Sequence, residues 1–211
     1  MKKIQIPQTD WQTASQAIDV QGDWCYATYL MAAAAIGAKV HIQGLDMFED
    51  AMEKRIFEAL HAQSSALSIQ ADAIIAGRGL AHAFQFSIAG ADALALPLIV
   101  MAAGCNGTSV LSEWTTVVQP ELWAERLEVL QSVGLDVKVQ DDLLIIPGNS
   151  SLHFDKHVHT NDALLLGALA LLAIQADGEK TLSDATALLA SFPNWISDMN
   201  RLLGQPIIIA P

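Results

Sequence analysis

The chain repeats one pattern three times: an aspartate, a charge-free apolar run, a short β-rich stretch, then an amphipathic stretch with more β-rich sequence behind it. Asp23 leads into WCYATYLMAAAAIGAKVHIQGL, Asp92 into ALALPLIVMAAGCNGTSVLSEW and Asp162 into ALLLGALALLAIQADGEKTLSDA. The aspartates stand 69 and 70 residues apart. A fixed period of this size is the signature of a repeated supersecondary unit, and a unit that cannot bury its own apolar surface must be covered by its neighbours.

Two kinds of helix are expected in each unit. The first, over residues 24–36, 93–105 and 163–175, carries no charged side chain, and a helix apolar on every side has to be buried on every side. The second, near 50–63, 120–133 and 192–203, is amphipathic: in PELWAERLEVLQSVG, Leu122, Leu127 and Leu130 share a face while Glu121, Glu125 and Glu128 stay wet. The β-rich segments are VHIQGL and ALSIQADAIIAG, then TSVLSEW and DVKVQDDLLIIPG, then TLSDA and PIIIAP. The unit reads β-α-β-α-β-β, in an α/β (α+β) chain.

Three wholly apolar helices are hidden together only if they meet near a common axis with the sheets outside them, an inside-out α/β barrel with pseudo-threefold symmetry. Each aspartate then has a local task as an N-cap that accepts a backbone N–H and complements the helix dipole. Pro97 falls inside the second run and should kink that helix or shift its start. With no linker-like break in composition, the chain reads as a single domain over 1–211, with units of roughly 15–80, 81–150 and 151–211.

Charge excludes several functions. Eleven Lys and Arg face 23 Asp and Glu, a net charge of −12, which repels nucleic acid and anionic lipid unless the cations cluster. Adjacent basic pairs occur only at Lys2–Lys3 and Lys54–Arg55. The start, MKKIQIPQTDW, lacks the apolar core of a signal peptide, and no continuously apolar run reaches the about 18 residues of a membrane span. A soluble, cytoplasmic protein is expected, without membrane or nucleic-acid partners. Cys25 and Cys105 sit inside apolar helical runs, where free thiols behave as small hydrophobes rather than a disulfide pair.

Several segments resemble one family. Gly22-Asp23-Trp24-Cys25-Tyr26-Ala27-Thr28-Tyr29-Leu30, continuing into AAAAIGAKVHIQGL, resembles the GDxSSASYxxAAAAI segment of the 5-enolpyruvylshikimate-3-phosphate (EPSP) synthases. Asp92 takes the place of that family's PD helix start. VGLDVKVQDDLLII resembles its LGAxVxxxxDxLxI hairpin, and ADGEKTLSDA with SFPNWISDMNRL resembles its closing turn, strand and S(F/Y)PxFxxDLxxL helix. The segments keep the family's order along nearly the whole chain. The resemblance implies the C-terminal one of two pseudo-threefold domains, and it implies an enzyme family that transfers the enolpyruvyl group of phosphoenolpyruvate to the 5-hydroxyl of shikimate 3-phosphate.

The residues that the resemblance assigns to that chemistry are largely replaced. Two anionic substrates call for Lys and Arg. The family's KE(S/T)DR motif falls on Val118, Gln119, Pro120, Glu121 and Leu122, and its DHR(M/I)AM motif on Asp162, Ala163, Leu164, Leu165, Leu166 and Gly167. The lysine of K(S/T)(F/Y)P falls on Ala190, before Ser191, Phe192 and Pro193. Asp92 keeps the family's residue type; the resemblance gives it the proton of the attacking hydroxyl, and it is the one candidate catalytic residue. No substrate-binding residue is assigned. The expectation is a domain without autonomous catalysis that works through binding or assembly. The alternative is one subunit of a split 3-phosphoshikimate 1-carboxyvinyltransferase, completed by a separate N-terminal half. Partners are therefore such a half or further copies of the chain.

No cofactor or metal is expected. His153, Asp155, His157 and His159 alternate along SLHFDKHVHT, which would put all four on one face of a strand, read as an exposed strand rather than a metal centre. The chain has no Walker A loop, dinucleotide fingerprint or nucleophile elbow.

Overall fold

The structure is a computed structural model that describes residues 3–8, 10–154, 158–178, 180–183 and 185–210. A strand β1 (Lys3–Ile6) precedes the first unit, which contains β2 (Gln16–Asp19), α1 (Trp24–Ile36), β3 (Lys39–Gln43), α2 (Ile56–Ala62), β4 (Ala66–Ile69) and β5 (Ala73–Gly77). The second holds β6 (Gln85–Ser87), α3 (Ala95–Ala103), β7 (Thr108–Ser112), α4 (Trp114–Val117), α5 (Pro120–Ser132), β8 (Lys138–Gln140) and β9 (Leu143–Pro147). The third holds β10 (Val158–His159), α6 (Ala163–Gln175), β11 (Lys180–Ser183), α7 (Ala185–Ser191), α8 (Trp195–Leu203) and β12 (Ile208–Ala210).

The three uncharged helices pack against one another as their composition demands. Every residue of α1 except Cys25 is buried, as is all of α3 and the stretch Leu165–Ala173 of α6. Their C-terminal ends converge: Ile36, Gly104 and Gln175 line one cavity, and a Cβ on Gly104 would press within about 3 Å of both Ile36 and Gln175. Their N-termini therefore share the opposite end.

Around this axis stand three separate four-stranded sheets, ordered β2-β3-β5-β4, β6-β7-β9-β8 and β10-β11-β1-β12. They are three distinct sheets and do not join into a closed barrel. In each the first pair is parallel and the rest antiparallel. The third sheet corrects the unit boundaries read from the sequence. The place held by β5 and β9 in the first two sheets is taken in the third by β1, from the other end of the chain. Lys3–Ile6 pairs with Lys180–Ser183 on one side and Ile208–Ala210 on the other. The strand alternates so that Ile4 and Ile6 are fully buried, the period-two pattern of a sheet with one face on a core. The third unit is thus closed by the first strand, and 151–211 alone is incomplete.

The segment between β1 and β2 is tied down as well. Trp11 lies over the turn after α1, where a Cβ on Gly37 would overlap its ring, so only glycine leaves room for the indole there. Both cysteines are free; burial beside Asp23 and Glu53 pushes the Cys25 thiol up to about 11. No helix among the described residues is long and apolar enough to cross a membrane.

If β1 completes the third sheet, Ile4→Ala should cost about 2–5 kcal/mol, the range for truncating a fully buried aliphatic side chain. Urea unfolding monitored by tryptophan fluorescence would read this as a lower midpoint at constant m. A change within about 0.5 kcal/mol would show that the strand is dispensable.

Candidate functional site

The end of the axis where α1, α3 and α6 begin carries Asp23, Asp92 and Asp162, with the Phe192-Pro193-Asn194 segment beside the start of α1. Asp23 caps α1 as expected, its Oδ1 accepting from the Tyr26 N–H at 2.8 Å. Asp162 caps α6, its Oδ1 accepting from Leu164 N at 3.0 Å and Leu165 N at 3.1 Å. Asp92 departs from the expectation: it opens a 3₁₀ turn, Asp92–Leu94, and caps nothing. The reason is Pro97, whose ring would clash with the carbonyl four residues back, at Ala93, in a continuous α-helix. The regular helix starts at Ala95 instead, and the Asp92 carboxylate is left exposed on the face, without a hydrogen bond or ion pair among the described residues.

A cation does reach this face, from a residue the sequence reading passed over. Arg126 lies one turn beyond Leu122 on α5, and its Nε donates to Asp162 Oδ2 at 2.7 Å. The pair is largely enclosed, with the Arg126 and Asp162 side chains 12% and 19% exposed, and the guanidinium stacks 4.9 Å over the Trp123 ring. Asp162 therefore uses one oxygen to cap α6 and the other to hold Arg126. The spacing from Leu122 to Arg126 is the i, i+4 step that brings two helical side chains to one face, and that was the available signal. With Glu125, Asn161 and Leu165 they line a cleft of about 210 Å³. Leu122 itself is 38% exposed, and Trp123 takes the buried place expected for it.

The other positions bring no charge. Val118 is buried between α4 and α5, Leu164 is partly buried at the start of α6, and Ala190 is exposed on α7. A second cleft, about 390 Å³, lies over the start of α1 between Asp19, Asp23, Tyr26 and the Phe192-Pro193-Asn194 segment. Its charged lining residues are the two aspartates, which disfavour an anion there. Two further cations among the described residues, Lys54 and Arg55, are engaged elsewhere. Lys54 donates to the Met47 and Glu49 carbonyls and sits over Trp24. Arg55 donates to Ser87 O at 2.9 Å and Ala89 O at 2.7 Å.

Beneath the second cleft is a buried polar pair that sequence alone did not signal, since its members are 172 residues apart. The Tyr26 hydroxyl donates to Asp198 Oδ2 at 2.8 Å, and Phe192 stacks on the Tyr26 ring at 5.1 Å. Burial raises the Asp198 carboxyl above its usual range, partly offset by the Tyr26 hydrogen bond and by Arg201.

The histidine cluster does not form the expected strand face. β10 spans Val158–His159, and His153 stands before it in an irregular segment, its ring 3.2 Å from Ser151 O. Asp155 and His157 lie outside the described residues. No group of three metal-ligating side chains forms among the described residues.

This architecture is that of one domain of the enolpyruvyl transferase fold. The enolpyruvyl transferase NikO from Streptomyces tendae superposes with a TM-score of 0.73 at 18% identity, over 90% of this chain and 45% of its own. EPSP synthase from Acinetobacter baumannii gives 0.67 at 18%, over 92% and 47%. In sequence, the family profile of EPSP synthase (3-phosphoshikimate 1-carboxyvinyltransferase) matches residues 4–199, and the chain belongs to that family. Among its relatives, the 3-phosphoshikimate 1-carboxyvinyltransferase of Methanocorpusculum labreanum is 24% identical over 90% of this chain and 45% of its own length. That of Nitrosomonas europaea is 25% identical over 97% and 49%. The chain spans about half the length of these relatives.

The different tasks of the aspartates separate them experimentally. Asp162→Ala removes a cap and strands Arg126 in a largely enclosed site, so a loss of about 1–3 kcal/mol is expected. Asp92→Ala should stay within about 0.5 kcal/mol, as surface substitutions do. Equal losses in chemical denaturation would refute the assignment.

Asp198 gives a signed pH effect. Its raised pKa means that the folded chain holds this proton more tightly than the unfolded chain. The contribution is full below the unfolded pKa and is lost as pH rises through the folded one. Asp198→Asn cannot titrate. Wild type should therefore be most favoured over the variant near about pH 4 and lose ground toward about pH 7. A Tm difference independent of pH over that range would contradict it.

Proposed function

We propose that this chain is an EPSP synthase-like domain without enolpyruvyl transfer of its own, acting through binding or assembly. The observation that carries this reading is the Arg126–Asp162 pair. Arg126, beside the α6 N-terminus, is held at 2.7 Å by the domain's own carboxylate, while Val118, Leu122, Leu164 and Ala190 stand where the family resemblance places cations. Phosphoenolpyruvate and shikimate 3-phosphate are both polyanions. Desolvating their phosphates beside Asp19, Asp23, Asp92 and Asp162 has no compensating partner. Stabilisation of developing charge is usually the largest catalytic contribution, and one missing donor already costs about 3–4 kcal/mol.

The exposed Asp92 supports a second reading. A free carboxylate at the position the family uses for proton handling suits a split 3-phosphoshikimate 1-carboxyvinyltransferase, in which a separate chain brings the cations over this face. The two readings part company in the presence of such a chain.

The 211-residue protein mixed with shikimate 3-phosphate and phosphoenolpyruvate should release no phosphate above the uncatalysed background, and calorimetry should find no saturable phosphoenolpyruvate binding in the millimolar range. Release that disappears in Asp92→Ala would overturn the first reading. Release that arises only on adding a separately expressed N-terminal EPSP synthase half, and again needs Asp92, would establish the second.

A further inference from the structure

The strand β4 stands at one edge of the first sheet, paired with β5 on one side and with no strand on the other among the described residues. The Gln70 N–H donates to the Ala73 carbonyl at 2.8 Å, and hydrogen-bonded pairs alternate along an antiparallel ladder. Ser68–Ile75 and Ala66–Gly77 are therefore the bonded pairs between β4 and β5. The N–H and C=O groups of Leu67 and Ile69 point the other way, outward from the sheet, and meet no main-chain partner among the described residues. The side chains of both lie on the core side with Ala76 and Ile74, their partners in register. They stand at its margin: Leu67 is partly buried against the core, and Ile69 is 49% exposed.

A bare edge offers a template to another strand, and proteins blunt such edges with charge or cover. Arg201 donates to the Ala17 carbonyl on β2, and Arg55 to the Ser87 carbonyl on β6. β8 carries Lys138 and lies between Asp136 and the Asp141–Asp142 pair. Around β4, by contrast, residues 62–71 hold no charged side chain in a chain of net charge −12. This edge is also complementary to itself. Placed antiparallel about a twofold axis through Ser68, Leu67 lies opposite the second copy's Ile69, and Ile69 opposite its Leu67. A register centred on Leu67 would set Ile69 against Ser65, whose N–H is already given to the Leu60 carbonyl at 2.9 Å.

We propose that two copies of this chain associate through β4, joining two four-stranded sheets into one of eight strands. Residues opposite each other in a bonded antiparallel pair exchange both main-chain hydrogen bonds, so the two Leu67–Ile69 pairs satisfy all the outward groups of both strands. The same pairs lay the exposed Ile69 side chain against Leu67 of the second copy, an apolar cross-strand contact. A twofold contact uses one patch on both copies, and two chains that each carry −12 meet with least repulsion along a stretch free of acids. The inference goes beyond the proposed function and does not rest on it, since self-association and phosphate release are read in separate experiments.

Sedimentation velocity of the 211-residue protein over about 5–500 μM should show a reversible shift from monomer to dimer. Ile69→Lys places a charge at an exposed edge position. It should raise the dissociation constant at least about tenfold and leave the circular dichroism and Tm of the dilute protein unchanged. Cysteine cross-linking reads the register. Ser68 faces its own copy in a non-bonded pair, with Cα atoms about 4.5 Å apart, within disulfide reach, so Ser68→Cys should form a covalent dimer with oxidised glutathione. Position 66 faces Gln70 instead, about 13 Å along the strands from its own copy, so Ala66→Cys should cross-link no faster than wild type, which keeps the same Cys25 and Cys105. A monomer throughout the concentration range, a dimer indifferent to Ile69→Lys, or Ala66→Cys cross-linking as fast as Ser68→Cys would each overturn the proposal.

Discussion

Burial of three helices that have no polar side is the constraint on which this structure depends. From Tyr26 to Ile36 no residue of α1 exceeds 4% exposure, and α3 and the centre of α6 are buried to a similar degree. One sheet covers one face of a helix, so each helix needs the other two for its remaining surface. Close approach follows from small side chains: the alanines 32–35 on α1, and Gly167 on α6, where a Cβ would come within 3.1 Å of the Tyr29 ring. Threefold packing then requires three equal outer sheets. The recruitment of β1 into the third sheet is the consequence, because without Ile4 and Ile6 one side of the axis would lack its inner layer.

The units are joined by arginines in a repeating manner. Arg55, from the first unit, bonds the Ser87 and Ala89 carbonyls at the start of the second. Arg126, from the second, bonds Asp162 at the start of the third. Arg201, from the third, bonds the Ala17 carbonyl at the start of the first, at 2.6 Å. Each unit thus reaches to the next in a closed ring. A guanidinium suits this task because its fork bonds backbone oxygens or a carboxylate while its stem packs on apolar neighbours, as over Phe86 and Trp123. Cations spent on holding units together are cations withdrawn from any ligand on the same face.

Legibility from sequence followed the range of the interactions involved. Periodicity and charge exclusion located the buried helices and most strands within a few residues, because these depend on neighbours along the chain. The caps at Asp23 and Asp162 were readable for the same reason. Asp92 was misread as a cap although Pro97 was in view, since the clash with Ala93 decides where the regular helix begins. The closure by β1, the Tyr26–Asp198 pair and the Arg126–Asp162 pair all join distant segments. None leaves a local pattern, apart from the helical spacing that sets Arg126 beside Leu122.

The electrostatics of the helix N-termini tie these observations together. A buried helix start presents partial positive charge and unpaired N–H groups, which favour an anion. Here the chain supplies the anion itself, through Asp23 on α1 and Asp162 on α6. A carboxylate cap stabilises the helix but leaves the face net negative wherever no cation follows. At α6 Arg126 restores balance; at α1 Asp19 adds a second carboxylate to the same cleft; at α3 Asp92 has no ion-pair partner among the described residues. A polyanion approaching this face would meet charge of its own sign at two of three helix starts and an occupied arginine at the third. Any cleft completed over it therefore has to take its positive charge from the covering surface.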